Sequence, residues 1–153
     1  MKKVVVIILS VVVLLTVGVV LFKYYKHNQA RKSAEKTVIA FIEVSNEQDI
    51  NEMLKYIEPT EAQIISFGIS KFDDVTNSSA FTKLKKWMPY VSDFTNLQFI
   101  PQFDVSINNC DLNDNNADVT ATLTNQKNKS QIECVFRLIK IENKWYLQYV
   151  TEN

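Results

Sequence analysis

One histidine, His27, must supply any imidazole chemistry in this chain. It lies among basic residues directly behind a long apolar run, outside the segment patterned to fold. That position removes His-based acid–base work and any Ser-His or Cys-His nucleophile pair. Asp73 and Asp74 are adjacent carboxylates, but sequence neighbours point apart, and the pair reads as a solvated helix start. Asp104 alternates with Phe103 and Val105, so it is expected to face away from the apolar side. Tyr90, Tyr146 and Tyr149 are hydrogen-bond donors for a pocket or, more simply, core and rim aromatics. In DLNDNNAD, Asp111, Asn113 and Asn115 stand at alternate positions, as in a calcium loop. The pattern then fails: Asn116 stands where that loop needs Gly, and Thr122 where it needs a bidentate Glu. A polar turn between two strands is expected, with no metal. The only glycines are Gly18 and Gly68, so there is no Gly-rich phosphate loop. These residues point to a non-enzyme without a cofactor.

The chain has 153 residues, room for one domain behind a distinct N-terminal segment. Val4 to Phe22 reads VVVIILSVVVLLTVGVVLF, without a charge. Nineteen residues at ~1.5 Å each make a helix of roughly 28 Å, close to the ~30 Å hydrocarbon thickness of a bilayer. Lys23, Tyr24, Tyr25 and Lys26 follow as an aromatic and basic interfacial collar. The run exceeds the usual signal-peptide core of ~7–15 residues, and no A-x-A-like cleavage site follows it. The expected organisation is a short tail at residues 1–3, an uncleaved transmembrane anchor at 4–22, a basic juxtamembrane linker at 23–32 and one α+β domain at 33–153. Lys2 and Lys3 ahead of the apolar run suit a signal anchor with the C-terminal domain outside the cell membrane. The larger positive charge behind the run pulls the other way.

Charge bounds the partners. Seven of the seventeen basic residues (Lys2, Lys3, Lys23, Lys26, Arg31, Lys32, Lys36) precede Thr37, against Glu35 alone among the seventeen acids. Residues 37–153 therefore carry ten basic and sixteen acidic residues, a net of −6. An acidic domain lacks the electrostatic footprint of a nucleic-acid binder. The basic stretch reads as a contact to the lipid bilayer.

The first half of the domain has helical periodicity. Ala34, Val38, Phe41, Ile42 and Ser45 follow Ser33, a cap-type residue. Ile50, Met53, Leu54 and Ile57 follow Asp49, with Glu52 completing a capping box and Pro59 as the stop. Thr60 and Gln63 form a second such box ahead of Ile64, Ile65 and Phe67, with Gly68 as terminator. A fourth helix is expected to carry Phe81, Leu84, Trp87 and Met88, halted by Pro89.

The second half switches to period two. Phe103, Val105 and Ile107 alternate with polar residues, as do Val119, Ala121 and Leu123. VFRLIKIENKWYLQYV then reads as a hairpin. Its turn is Glu142-Asn143, and Asn tolerates the left-handed backbone such turns need. A two-residue loop places Phe136, Leu138, Trp145, Leu147 and Tyr149 on one face, under the helices. In a simple meander a strand separates Cys110 from Cys134, so the two lie roughly 9.6 Å apart, too far for a disulfide. Strand parity turns Cys110 outward and Cys134 inward.

AEKTVIAFIEVSNEQDINEMLKYIEPT, then ADVTATLT, then FRLIKIENKWYLQYV, resembles the nuclear transport factor two-like superfamily, in particular its small bacterial membrane-anchored domains. The resemblance implies a cone: a curved antiparallel sheet wrapped on N-terminal helices, with an apolar mouth. Phe41, Phe103, Phe136, Leu138, Trp145, Leu147 and Tyr149 are the expected pocket or core-lining residues. Two functions of different kind are compatible with this layout. One is an extracytoplasmic, membrane-anchored, non-catalytic binding module whose cone takes an apolar or peptide ligand. The other is a structural subunit of an envelope assembly, as in conjugation channels of type IV secretion, with envelope protein partners or copies of itself as a homo-oligomer.

Overall fold

The computed structural model describes residues 2–71, 84–91 and 101–153, with side chains omitted for 2–13 and 68–71. The chain is α+β: among the described residues it has a long N-terminal helix, two shorter helices and a four-stranded antiparallel sheet. The long helix, α1 (Lys2–Glu47), is unbroken. Ser33 does not cap a new helix. It lies inside α1, and its carbonyl accepts a hydrogen bond from Thr37 Oγ1 at 3.0 Å. The stretch expected as a linker, 23–32, is helical throughout; it contains neither Gly nor Pro, the two residues that stop helices most strongly. Among the described residues no helix is long and apolar enough to cross a membrane. Of the uncharged run, Leu14 to Phe22 have described side chains, and Leu14, Leu15, Val17, Val19, Val20, Leu21 and Phe22 are exposed. Farther on, Ala34, Val38, Phe41, Ile42 and Ser45 form one buried stripe, as their spacing predicts.

After Gln48, held at φ 60°, Asp49 caps α2 (Ile50–Leu54), its side chain accepting from Glu52 N at 3.1 Å. Only one turn forms. Ile57 leaves the helical register and bridges Leu147 in parallel. Pro59 does not end this helix. It opens α3 (Pro59–Lys71), where its missing N–H costs nothing. Glu58, not Thr60, caps α3: its two carboxylate oxygens accept from Thr60 N and Glu61 N, each at 3.2 Å. Gly68 does not terminate α3, which runs on to Lys71. Phe81, Asp73 and Asp74 lie outside the described residues. Of the expected fourth helix, Leu84 to Val91 is a hydrogen-bonded turn, with Leu84, Trp87, Met88, Tyr90 and Val91 all buried.

The sheet is a meander of β1 (Phe103–Asn113), β2 (Asn116–Asn125), β3 (Gln131–Ile141) and β4 (Lys144–Glu152), in that spatial order. Its inner face packs Val119, Ala121, Leu123, Phe136, Leu138, Trp145 and Leu147 into the core with Phe41, Ile42 and Met53. The polar run at Asp114-Asn115 is the β1–β2 turn. The last hairpin closes through Glu142 and Asn143 at φ 49° and 66°, the two-residue left-handed loop its sequence predicts.

Two bulges reverse the expected parity. Pairing slips between Ile107 and Asn109, so Cys110, opposite Val119, is buried rather than outward. A second slip sets Arg137 against Tyr149 but Leu138 against Leu147. Tyr149 therefore leaves the face of Phe136, Leu138, Trp145 and Leu147, and Val150 takes the buried position. β4 is an edge strand, so its outer side is free to bond elsewhere. Leu147 N donates to Tyr56 O (2.7 Å), Glu58 N to Leu147 O (2.9 Å) and Val150 N to Lys86 O (2.9 Å). At the other edge, Asn46 at the end of α1 imitates a strand: its side chain donates to Phe103 O (2.8 Å) and accepts from Phe103 N (2.9 Å).

Candidate functional site

Of the seven expected pocket or core residues, Phe41, Phe103, Phe136, Leu138 and Leu147 are buried in the core. Trp145 is buried too, but it also borders a cleft, and Tyr149 borders a groove on the opposite side of the sheet. The cleft has a volume of about 440 Å³ and lies between α1 and the tip of the β3–β4 hairpin. Phe22, Tyr25, Lys26 and Gln29 line it from the helix, and Lys140, Asn143 and Trp145 from the hairpin. Two of the four collar residues, Tyr25 and Lys26, thus belong to its wall. Lys23 and Tyr24 are exposed on α1.

Sequence pattern explains why this site is polar at one end of an apolar face. Cys134, Phe136 and Leu138 alternate inward along β3, and Lys140 occupies the next inward position, opposite Trp145. Its Nζ lies 5.7 Å from the centre of the Trp145 ring. Across the cleft, Lys26 Nζ lies 4.8 Å from the Phe22 ring. Neither ammonium has a carboxylate partner among the described residues. By contrast, Arg31 pairs with Glu35 at 3.0 Å, and Lys144 donates to the Lys55 carbonyl at 3.4 Å. The backbone of the tip is fixed by Lys140 N donating to Asn115 O at 2.7 Å, which ties both sheet turns together at this end. The Trp145 indole N–H is buried without an acceptor among the described residues, as is that of Trp87.

On the opposite side of the sheet, Arg137 grips Asp118 with two nitrogens, at 2.7 and 2.5 Å. Its guanidinium stacks 5.3 Å from the Tyr149 ring. Asp111 stands opposite Asp118 in the register and accepts from Asn109 at 2.8 Å. This row borders a second groove of about 520 Å³. Among the described residues, no group of three or more His, Cys, Asp or Glu is arranged to hold a metal ion.

The buried titratable groups sit in the core, away from both openings. Burial pushes the Cys110 thiol up to about 11 and the Cys134 thiol up to about 12. Both cysteines are free and reside on different strands flanking β2, as the meander order predicts. Burial likewise holds the Tyr90 phenol well above its ordinary range, with the Cys134 thiol adding to the rise and Ser45 opposing it. The Tyr90 hydroxyl meets no hydrogen-bond partner among the described residues; Ser45 donates its own hydroxyl to Phe41 O at 2.7 Å. A neutral thiol and a neutral phenol in such surroundings are poor nucleophiles and poor bases.

The residue that sequence reasoning missed is Lys140. Its signal was present as a charge at the inward position of an otherwise apolar alternation. Compared with known proteins, the chain matches no family model, no curated protein and no solved structure.

Proposed function

We propose that the chain is a single-pass membrane protein whose α+β domain is a non-catalytic binding module held at the bilayer surface, outside the cell membrane. The observation that carries this reading is the unbroken helix α1. One end holds the uncharged run Val4 to Phe22, and the other end contributes Val38, Phe41 and Ile42 to the core. An apolar surface exposed on all sides of a helix is at home in lipid. In this proposal the sheet laid over helices would be the cone of the nuclear transport factor two-like superfamily that the sequence resembles.

The binding surface in this proposal is the cleft beside Lys26 and Lys140, because the described side chains between sheet and helix pack into a core. The exposed collar and hairpin tip suit contacts outside the fold: lipid, a peptide, or a partner in an envelope assembly. Two measurements test the reading. Washing membranes at alkaline pH should leave the chain in the pellet, and release into the supernatant would remove the anchor. An alkaline phosphatase fusion after Asn153 should be active. An active cytoplasm-dependent reporter there would reverse the orientation.

A further inference from the structure

We propose that the cleft between α1 and the β3–β4 hairpin is a binding site for the phosphate of an anionic phospholipid, with Lys26 and Lys140 as its cationic walls. The inference rests on the anchored reading above and names the ligand for that module.

Three observations converge. The first is position. Phe22, the last residue of the uncharged run, lines the same cleft as Asn143 at the hairpin tip. With Val4 to Phe22 in the hydrocarbon, the hairpin tip stands at headgroup depth. The second is charge. Lys26 and Lys140 border one opening from two different elements and have no carboxylate partner among the described residues. The acids of this end, Glu142 in the hairpin loop and Asp114 in the neighbouring turn, do not line the cleft. A lysine stem lying along Trp145 is ordinary packing, but packing alone does not place a second lysine across the same opening. The third is the lining. Gln29, Ser33 and Asn143 add neutral hydrogen-bonding groups, while Phe22 and Tyr25 offer apolar surface on the lipid side. A phosphodiester with a glycerol backbone matches both halves. A strongly hydrated free anion would use only the polar half.

The test uses the full chain extracted into a neutral detergent and offered phosphatidylglycerol or phosphatidylcholine, with bound lipid counted by native mass spectrometry. The wild-type chain is expected to retain phosphatidylglycerol in preference. Lys26→Gln and Lys140→Gln should each reduce that retention about fivefold, which corresponds to the roughly 1 kcal/mol a lysine contributes near an anionic lipid surface. Lys140→Arg should keep it, which separates loss of charge from loss of fold. Lys127→Gln, in the turn at the far end of the sheet, should not change it. Excess inorganic phosphate should fail to displace the lipid. Displacement by phosphate alone would make this a free-phosphate site and overturn the lipid assignment. Equal retention of the two lipids, or retention unaffected by the cleft substitutions, would overturn it as well while leaving the anchored reading intact. Release of the chain from membranes at alkaline pH would bring down both.

Discussion

The two ends of α1 are built from similar residues and have opposite fates. Leu14, Val19 and Phe22 are 72%, 56% and 58% exposed, whereas Val38 and Phe41 are fully buried. The difference is arrangement. Around Leu14 to Phe22 the apolar residues occupy every side of the helix. From Ala34 to Ser45 they form a single stripe, with Glu35, Lys36 and Glu43 on the other sides. A stripe can be covered by one sheet. A helix apolar on every side cannot. The contrast teaches that one continuous helix can carry two kinds of surface, with the boundary set by the circumferential pattern and not by any break in the backbone.

The largest test of the contrast exchanges like for like. Phe41→Ala should destabilise the domain by about 3–5 kcal/mol, the usual range for a large core aromatic. Trp145→Ala should cost a similar amount. Phe22→Ala, nineteen residues of helix earlier, should change domain stability by no more than about 0.5 kcal/mol. Denaturant unfolding of the full chain in neutral detergent, followed by circular dichroism, measures all three. Equal losses at Phe22 and Phe41 would erase the distinction between the two ends.

A smaller effect is expected at the last turn of α1. Asn46→Ala removes both side-chain bonds to Phe103 and should cost about 1–3 kcal/mol by the same assay, since the Phe103 backbone would lose its partners. An unchanged midpoint would mean that the end of α1 does not hold the sheet edge. In the hairpin loop, Glu142 is a non-glycine residue at φ 49°. Glu142→Gly should raise stability by up to about 1 kcal/mol, as relief of the left-handed strain outweighs glycine's extra chain entropy. A loss would show that the Glu142 side chain contributes more than its backbone costs.

A further effect is one of pH, confined to alkaline conditions. Both thiols titrate higher in the folded chain than their ordinary value near 9, so the folded state holds these protons more tightly. Their contribution is fully present below pH 9 and is lost as pH rises toward 11 and 12. Unfolding midpoints should therefore fall above pH 9, and the native chain should react with thiol reagents slowly, at two groups only after denaturation. Rapid labelling of the native chain at neutral pH would contradict the burial of Cys110 and Cys134.

The strands were legible because alternation reports directly on a half-buried sheet: Val119, Ala121 and Leu123, then Phe136 and Leu138, fall where period two puts them. The Glu142-Asn143 turn was legible because few residues accept left-handed backbone. The bulges were not. An extra residue is inserted in response to twist and to partners across the sheet, and Asn108 and Gln148 carry no local mark of it. One residue then reversed the faces of Cys110 and Tyr149. Helix ends misled for a related reason. Ser33, Pro59 and Gly68 permit a boundary without requiring one, and Pro59 serves a helix start as well as a stop. The cleft was half legible. The collar announced Tyr25 and Lys26, but their opposite wall, Lys140, is a hundred residues away and is joined to them by the fold alone.

On the anchored reading proposed above, the continuity of α1 would make the anchor a lever. Residues 23–47 extend the helix by ~37 Å beyond Phe22, and none of them breaks it. With no joint to absorb rotation, any change in the inclination of the end holding Val4 to Phe22 would become a change in the attitude of the sheet. Transmembrane helices lean to match the thickness of the bilayer around them. A change in lean of about 10° would sweep the far end of such a lever through roughly 6 Å. In that reading, thickness of the surrounding lipid would be converted into the height and angle at which the domain meets whatever lies above it.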